Sequence, residues 1–282
     1  MTTTWTTPTP AVADPQPPAD RARRDRAAQS FTHVLRAEWI KFWSVRSTRW
    51  SLVALVAMGI GLTVLVSATS AESIADGSAG EAPESFVTWG MMIAQVTAVV
   101  LGALYVTSEY GTGLVRATFA AVPRRGRVVA AKLLVLCSVL FVAGTLTATV
   151  GYVAGNWFLE AEGVGVPLDG DGVIRSLYGN GLYLAALGAL TLGVGLLVRH
   201  TAAALSIVLG LVFVVANMAF LLPGSWGETV ADVIPGNAGH TLTTPVAFNP
   251  TLMDAWPGFA VLVAEVAVVV ALGWLSVLRR DA

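Results

Sequence analysis

Six stretches of about twenty apolar residues, at roughly 51–68, 86–107, 133–154, 177–198, 201–222 and 257–278, leave this chain few ways to fold. Each is long enough to cross about 30 Å of hydrocarbon as a helix. Lipid offers no partner to a backbone N–H or C=O, so a spanning segment must satisfy its own hydrogen bonds, as a helix does. Composition agrees: 55% of the 282 residues are hydrophobic and 12% are charged, against about 25% charged in a soluble domain. The reading is an all-α integral membrane protein with six transmembrane helices. Within the spans one ionisable side chain, Glu265, is expected to sit deep.

Charge fixes the expected orientation. With the N-terminus placed inside, sixteen Lys and Arg residues fall on the inner side and one, Arg175, on the other. That asymmetry follows the tendency of cationic loops to stay cytoplasmic. An odd number of spans would separate the two basic chain ends, so six fits better than five or seven. The expected placement is a plasma membrane, multi-pass, with both termini cytoplasmic. Residues 1–29, rich in Thr, Pro and Ala and then Arg, read as a disordered cytoplasmic tail; no apolar run follows closely enough for a signal peptide. Residues 30–282 read as the membrane domain. Ala185, Ala189 and Gly193, Gly144 and Ala148, and Ala57 and Gly61 repeat every four residues, a spacing that lets helices approach closely in lipid.

Two features stand out on the basic side. Residues 31–49 place Phe31, Val34, Leu35, Trp39, Phe42 and Trp43 on one helical side, with His33, Arg36, Lys41, Ser44 and Thr48 largely on the other. Such a segment reads as an N-terminal interfacial amphipathic helix in contact with anionic lipid, or more simply as a basic flank orienting the first span. Glu38 falls near the apolar side and has two possible partners, Lys41 and the Arg124/Arg125 turn. The second feature is the loop TSEYGTGLVRATFAAVPRRGR, residues 107–127. Gly111 and Gly113 are expected to break the second span. Residues 114–121 have room for about two helical turns before Pro123, a short stiff element able to transmit motion. The simpler alternative is a loop that only sets topology.

LRAEWIKFWSVRST (residues 35–48), one span, an acidic loop, another span and then TSEYGTGLVRATFAAVPRRGRVVAAK (residues 107–132) together resemble the permease subunits of type-2 ABC exporters, especially actinobacterial ones. The resemblance covers about residues 31–282. It implies a connecting helix at 31–49, with Glu38, Trp39, Lys41 and Trp43 as its interfacial residues. It also implies a cytoplasmic coupling helix within 108–127, with Glu109, Tyr110, Arg116 and Phe119 contacting or orienting a separate ATPase subunit. The implied partners are that ATPase, a second permease copy or related permease, and membrane lipid; no nucleic acid is expected. The segment 223–256 fits the place where family members carry a hairpin dipping into the outer leaflet, and fits an external loop equally well.

The chain lacks G-x-x-x-x-G-K-[ST], so ATP and Mg²⁺ would belong to the partner and this chain is not expected to be an enzyme. Intramembrane proteolysis is disfavoured: no Asp lies clearly inside a span, and His33, His200 and His240 fall in interfacial or loop positions. An ion-coupled secondary transporter would use midplane ionisable groups, for which Glu265 is the one candidate. A non-transporting membrane scaffold or sensor is a further alternative. Gln95, Asn217 and Glu265 are the expected polar groups along a path or between helices; a hydrogen bond to a neighbouring helix would account for Glu265 equally well. The cargo is not legible.

Overall fold

A computed structural model describes residues 30–114, 118, 125–218, 221, 225–246, 249 and 251–280. Among these residues there is no strand, and six helices are long and apolar enough to cross a membrane. This is an all-α, multi-pass membrane protein. Helix α1 (Phe31–Ser44) precedes the first span, α2 (Arg46–Ala75). The others are α3 (Met91–Thr112), α4 (Arg125–Ala161), α5 (Val173–Val198), α6 (Thr201–Met218) and the last helix, Ala255–Arg280. Two short helices, α7 (Ser225–Val233) and α8 (Pro235–Ala238), lie between α6 and that last helix, here α9. The expected tail 1–29 lies outside the described residues.

The spans exceed their expected bounds at several ends. Helices of 30 and 37 residues run about 45 and 55 Å, so α2 and α4 project beyond a hydrocarbon core of about 30 Å. Apolarity marks only the part in lipid; the backbone hydrogen bonds carry the helix on. Helix α3 differs in another way, starting at Met91 rather than near 86 because residues 83–90 form a 3₁₀ turn and further turns. There the Gly90 N–H donates to Thr63 Oγ1 of α2 at 3.0 Å. A β-carbon at Gly90 would collide with the Gly59 carbonyl, so only glycine lets the two backbones meet.

Helix α5 is the axis of the bundle, packed on α3, α4, α6 and α9 and buried along most of its length. The expected small-residue contacts hold in part. Gly144 of α4 lies against Gly181 of α5, and Gly193 of α5 against Val269 and Val270 of α9. Ala57 and Gly61 do not make a contact: both are exposed, and nothing lies within 4 Å of a β-carbon at Gly61. The buried stripe of α2 is instead Leu55, Gly59, Thr63, Ser67 and Ala71, displaced by two residues. Both registers have four-residue spacing, so periodicity could not choose between them.

Helix α6 widens into a π-helical stretch over Gly210–Val215, a local underwinding frequent at functional sites. The Val212 carbonyl there faces Gly236 of α8. The segment after α6 is therefore docked into the bundle, on α5, α6 and α9. Tyr183 Oη lies 3.3 Å from the Gly236 carbonyl. Ten residues separate Tyr183 from the start of α5 at Val173, so α8 meets α5 about 15 Å along its length. The described part of this segment thus packs against the helices instead of standing clear of them. Arg175 fastens it, donating from Nη1 to the Thr241 carbonyl (3.0 Å) and from Nη2 to the carbonyls of Thr244 (3.2 Å) and Pro245 (2.9 Å). Asn180 and Thr88 both donate to the Thr243 carbonyl, at 2.8 and 2.9 Å.

Candidate functional site

Helix α1 is shorter than the expected 31–49. Val45 is extended (φ −82°, ψ 124°) and breaks it from α2, so Thr48, Arg46 and Arg49 belong to the first span. The residues α1 turns into the protein are Val34, Glu38 and Phe42, one per turn. Phe42 is fully buried and meets the Tyr105 ring of α3 edge-on at 5.1 Å. Trp39 and Trp43 remain partly exposed and stack edge-on at 5.7 Å. They line an apolar groove of about 520 Å³ with Leu52, Val56 and Val142 of α2 and α4. The carboxylate that seemed out of place in the amphipathic pattern is thus central to the face that packs.

Around Glu38 four charges close into a ring. Lys41 Nζ bonds Glu38 Oε1 at 2.6 Å and Glu109 Oε1 at 2.8 Å. Lys132 Nζ bonds Glu38 Oε2 at 2.9 Å and Glu109 Oε1 at 2.7 Å. Tyr105 donates its hydroxyl to Glu38 Oε2 at 3.1 Å, and its ring lies 4.6 Å from the Lys132 ammonium. The side chains of Glu38, Lys132 and Glu109 are 2%, 5% and 11% exposed; Lys41, at 29%, faces the rim. Two anions and two cations make the ring neutral, which buried ions require to be tolerable. Burial by itself would lower the Lys41 pKa, but Glu38 and Glu109 outweigh it and hold that ammonium above lysine's ordinary value.

The positions of these groups give the ring its mechanical meaning. Glu38 and Lys41 sit one turn apart on α1, Glu109 in the last turn of α3, and Lys132 about two turns into α4. Helices α3 and α4 bracket residues 113–124. The ring therefore joins both flanks of that loop to each other and to α1. It contains no group of three metal-ligating side chains among the described residues, and each ammonium is paired with both carboxylates. It ties α1, α3 and α4 together by ion pairs.

The expected loop residues fare differently. The break expected at Gly111 does not occur: α3 continues through Gly111 to Thr112 and ends at Gly113 in the left-handed region (φ 72°). Glu109 is turned inward, held by the two lysines. The Tyr110 ring lies 5.1 Å from the Arg199 guanidinium, at the junction of α5 and α6. Arg116 and Phe119, and most of the expected coupling helix, lie outside the described residues. Glu38 pairs with Lys41; of the arginine turn, Arg124 lies outside the described residues, and Arg125 donates to the Val277 carbonyl of α9 at 3.3 Å.

At the opposite end of the bundle Gln95 of α3 and Asn217 of α6 line one cavity of about 620 Å³, together with Glu228, Asn237 and His240 of the docked segment. Gln95 Oε1 accepts from Tyr183 Oη at 2.8 Å, whereas Asn217 donates only to the Phe213 carbonyl of its own helix, at 2.7 Å. Glu265 is not with them. It lies in a separate, almost wholly apolar groove with Leu190, Leu211 and Val261. No bond ties it to a neighbouring helix among the described residues: its Oε2 is shut off from the surface and without a hydrogen-bond partner.

Compared with known proteins, the chain matches no family model and no curated sequence. What can be said of the site rests on its own geometry. Sequence reading counted Lys132 as a topology charge and passed over Tyr105. A signal was present. Lys41 and Lys132 are the only lysines in the chain, and Glu38 and Glu109 the only acids of the basic side between residues 30 and 280. Two of each, both lysines flanked by apolar residues, invite pairing.

Proposed function

We propose that this chain is the membrane-spanning permease subunit of an ATP-driven exporter, lying in a bacterial plasma membrane with both termini cytoplasmic. The 108–127 segment receives a separate ATPase subunit, which binds ATP and Mg²⁺. A second permease copy or a related permease completes the translocation path. The observation that carries this reading is the Glu38–Lys41–Glu109–Lys132 ring. A force on the loop reaches α1, α3 and α4 together, because both of the loop's flanks are ion-paired to α1. A loop that served only topology has no need of such a clamp. The cavity lined by Gln95 and Asn217, at the far end of α3 and α6, is the proposed exit of the path. Glu265, alone in an apolar groove, gives an ion-coupled mechanism no relay to work with among the described residues.

The test has two parts. A cysteine at Thr118, in a chain carrying Cys137→Ala, is resistant to membrane-impermeant maleimide in intact cells and reacts after lysis. A photocrosslinker at Leu114, exposed beside the loop, then captures a P-loop ATPase in native membranes, and Arg116→Glu abolishes the capture while membrane insertion persists. Labelling of position 118 from outside, or crosslinks to no ATPase, would sink the proposal.

A further inference from the structure

The groove beside Trp39 and Trp43 is separate from the cavity of the proposed path. Leu52, Val56 and Ile60 of α2 wall one side of it and Val142, Leu146 and Val150 of α4 the other, and its lining is almost wholly apolar. Each of these stripes runs about 12 Å along its helix. One leaflet of a hydrocarbon core about 30 Å thick is roughly 15 Å deep, so the groove has the length of a leaflet. It is open to its surroundings: Val56, Val142, Leu146 and Val150 are 40%, 53%, 60% and 49% exposed.

One end of the groove lies at the membrane surface. Trp39, Trp43 and Trp50 are exposed there, at 46%, 39% and 71%, and tryptophans gather at headgroup level. Arg46 and Arg49 lie in the opening turn of α2, beside Trp50. Arg49, Leu52, Val56 and Ile60 follow one another at steps of three and four residues, so the arginine heads the helical face that walls the groove. Arg46 is one turn back, near enough to share a ligand with it. Both arginines are exposed, and neither has a hydrogen-bond or ion-pair partner among the described residues. Glu38 and Glu109, the acids of this end between residues 30 and 280, are closed into the neutral ring and do not offset them.

We propose that this groove holds one acyl chain of an anionic phospholipid, with the lipid phosphate on Arg46 and Arg49. The apolar walls select the chain. The two guanidiniums select the head, because charge-assisted hydrogen bonds from arginine to phosphate are among the strong ones. Basic flanks attract anionic lipid diffusely, without need of a groove; here one lipid occupies one place, in the seam between α1, α2 and α4. The site needs no ATPase and no particular sidedness, so it stands or falls separately from the exporter reading.

The experiment uses the full chain alone in phosphatidylcholine nanodiscs doped with one of two probes. These are phosphatidylglycerol and phosphatidylcholine carrying the same diazirine-bearing acyl chain, and the adducts are mapped by mass spectrometry. On wild type the phosphatidylglycerol probe is expected to label Val56, Val142 and Leu146 at least tenfold more than the phosphatidylcholine probe does. At Leu272, exposed on α9, the two should label alike. Arg46→Gln/Arg49→Gln should lower the preference in the groove at least fivefold. Arg279→Gln, which removes a cation from the same end on a helix packed against α5, should leave it unchanged. Val142→Trp, which fills the groove, should lower labelling of Val56 by the phosphatidylglycerol probe at least fivefold. Equal labelling of the groove by both probes would mark ordinary surrounding lipid and overturn the proposal. So would a preference that survives loss of both arginines, one that falls as far in Arg279→Gln, or a groove free of adducts because a second copy covers it. The two probes are compared on wild type, so that result decides even if a variant misfolds.

Discussion

Lys132 shows how much a single side chain carries here. Its ammonium serves two carboxylates that are 2% and 11% exposed. Removing one partner of a buried ion pair leaves an uncompensated charge, at a cost of about 3–5 kcal/mol. Lys132→Met should accordingly lower the apparent unfolding midpoint in detergent far more than a surface substitution does. The double variant Lys132→Met/Glu109→Gln should recover part of the loss, and a double-mutant cycle should give a coupling of about 0.5–3 kcal/mol. Additivity of the two changes would show that the pair does not act as one unit. Lys41 allows a pH test. Its folded pKa is raised by the two carboxylates, so its stabilisation is fully present below the unfolded value and is lost only as pH climbs through the folded one. The difference in midpoint between wild type and Lys41→Met should stay constant from neutral pH upward and shrink only above about 10.4, the ordinary lysine pKa. A difference that vanished near neutrality would contradict the ring.

At the scale of elements, α2 offers a paired test. Gly59 and Gly61 are two residues apart, and a β-carbon at Gly59 would strike Thr147 of α4 and Met91 of α3, whereas one at Gly61 meets nothing. Gly59→Leu should destabilise by 1–3 kcal/mol or more, as overpacking does, while Gly61→Leu should leave thermal stability and expression nearly unchanged. The docked segment gives another. Arg175→Ala removes three bonds to the Thr241–Pro245 backbone, so amide exchange across 235–245 should quicken severalfold while α4 and α5 stay protected. These elements also mark how far a sequence can be read. Helices announced themselves by apolar length. The face of α2 that packs did not, because small residues recur at four-residue spacing in both registers. Glu38 looked like a flaw in an amphipathic pattern because its partner Lys132 is 94 residues away, beyond any local period.

For the whole molecule, the ring ties α1, α3 and α4 at one end, and Thr107 and Thr201, 2.7 Å apart at their hydroxyls, join α3 to α6. A displacement at the loop thus has a continuous route toward the cavity at the other end. In a reconstituted complex with the proposed ATPase, spin labels at Leu114 and Asn217 should report a nucleotide-dependent change in distance. Lys132→Met should diminish that change while ATPase binding remains; an unaltered change would remove the ring from the route. The division between sequence and structure follows from range. Apolar length and charge asymmetry are sums over neighbouring residues, so the linear chain suffices to set six spans and gather the basic residues on one side. Which carboxylate meets which ammonium, where Arg175 fastens the docked segment, and that Glu265 is left with a buried, unpartnered oxygen are matters of packing among helices distant in sequence. Only the assembled bundle brings those groups within hydrogen-bonding distance or holds them apart.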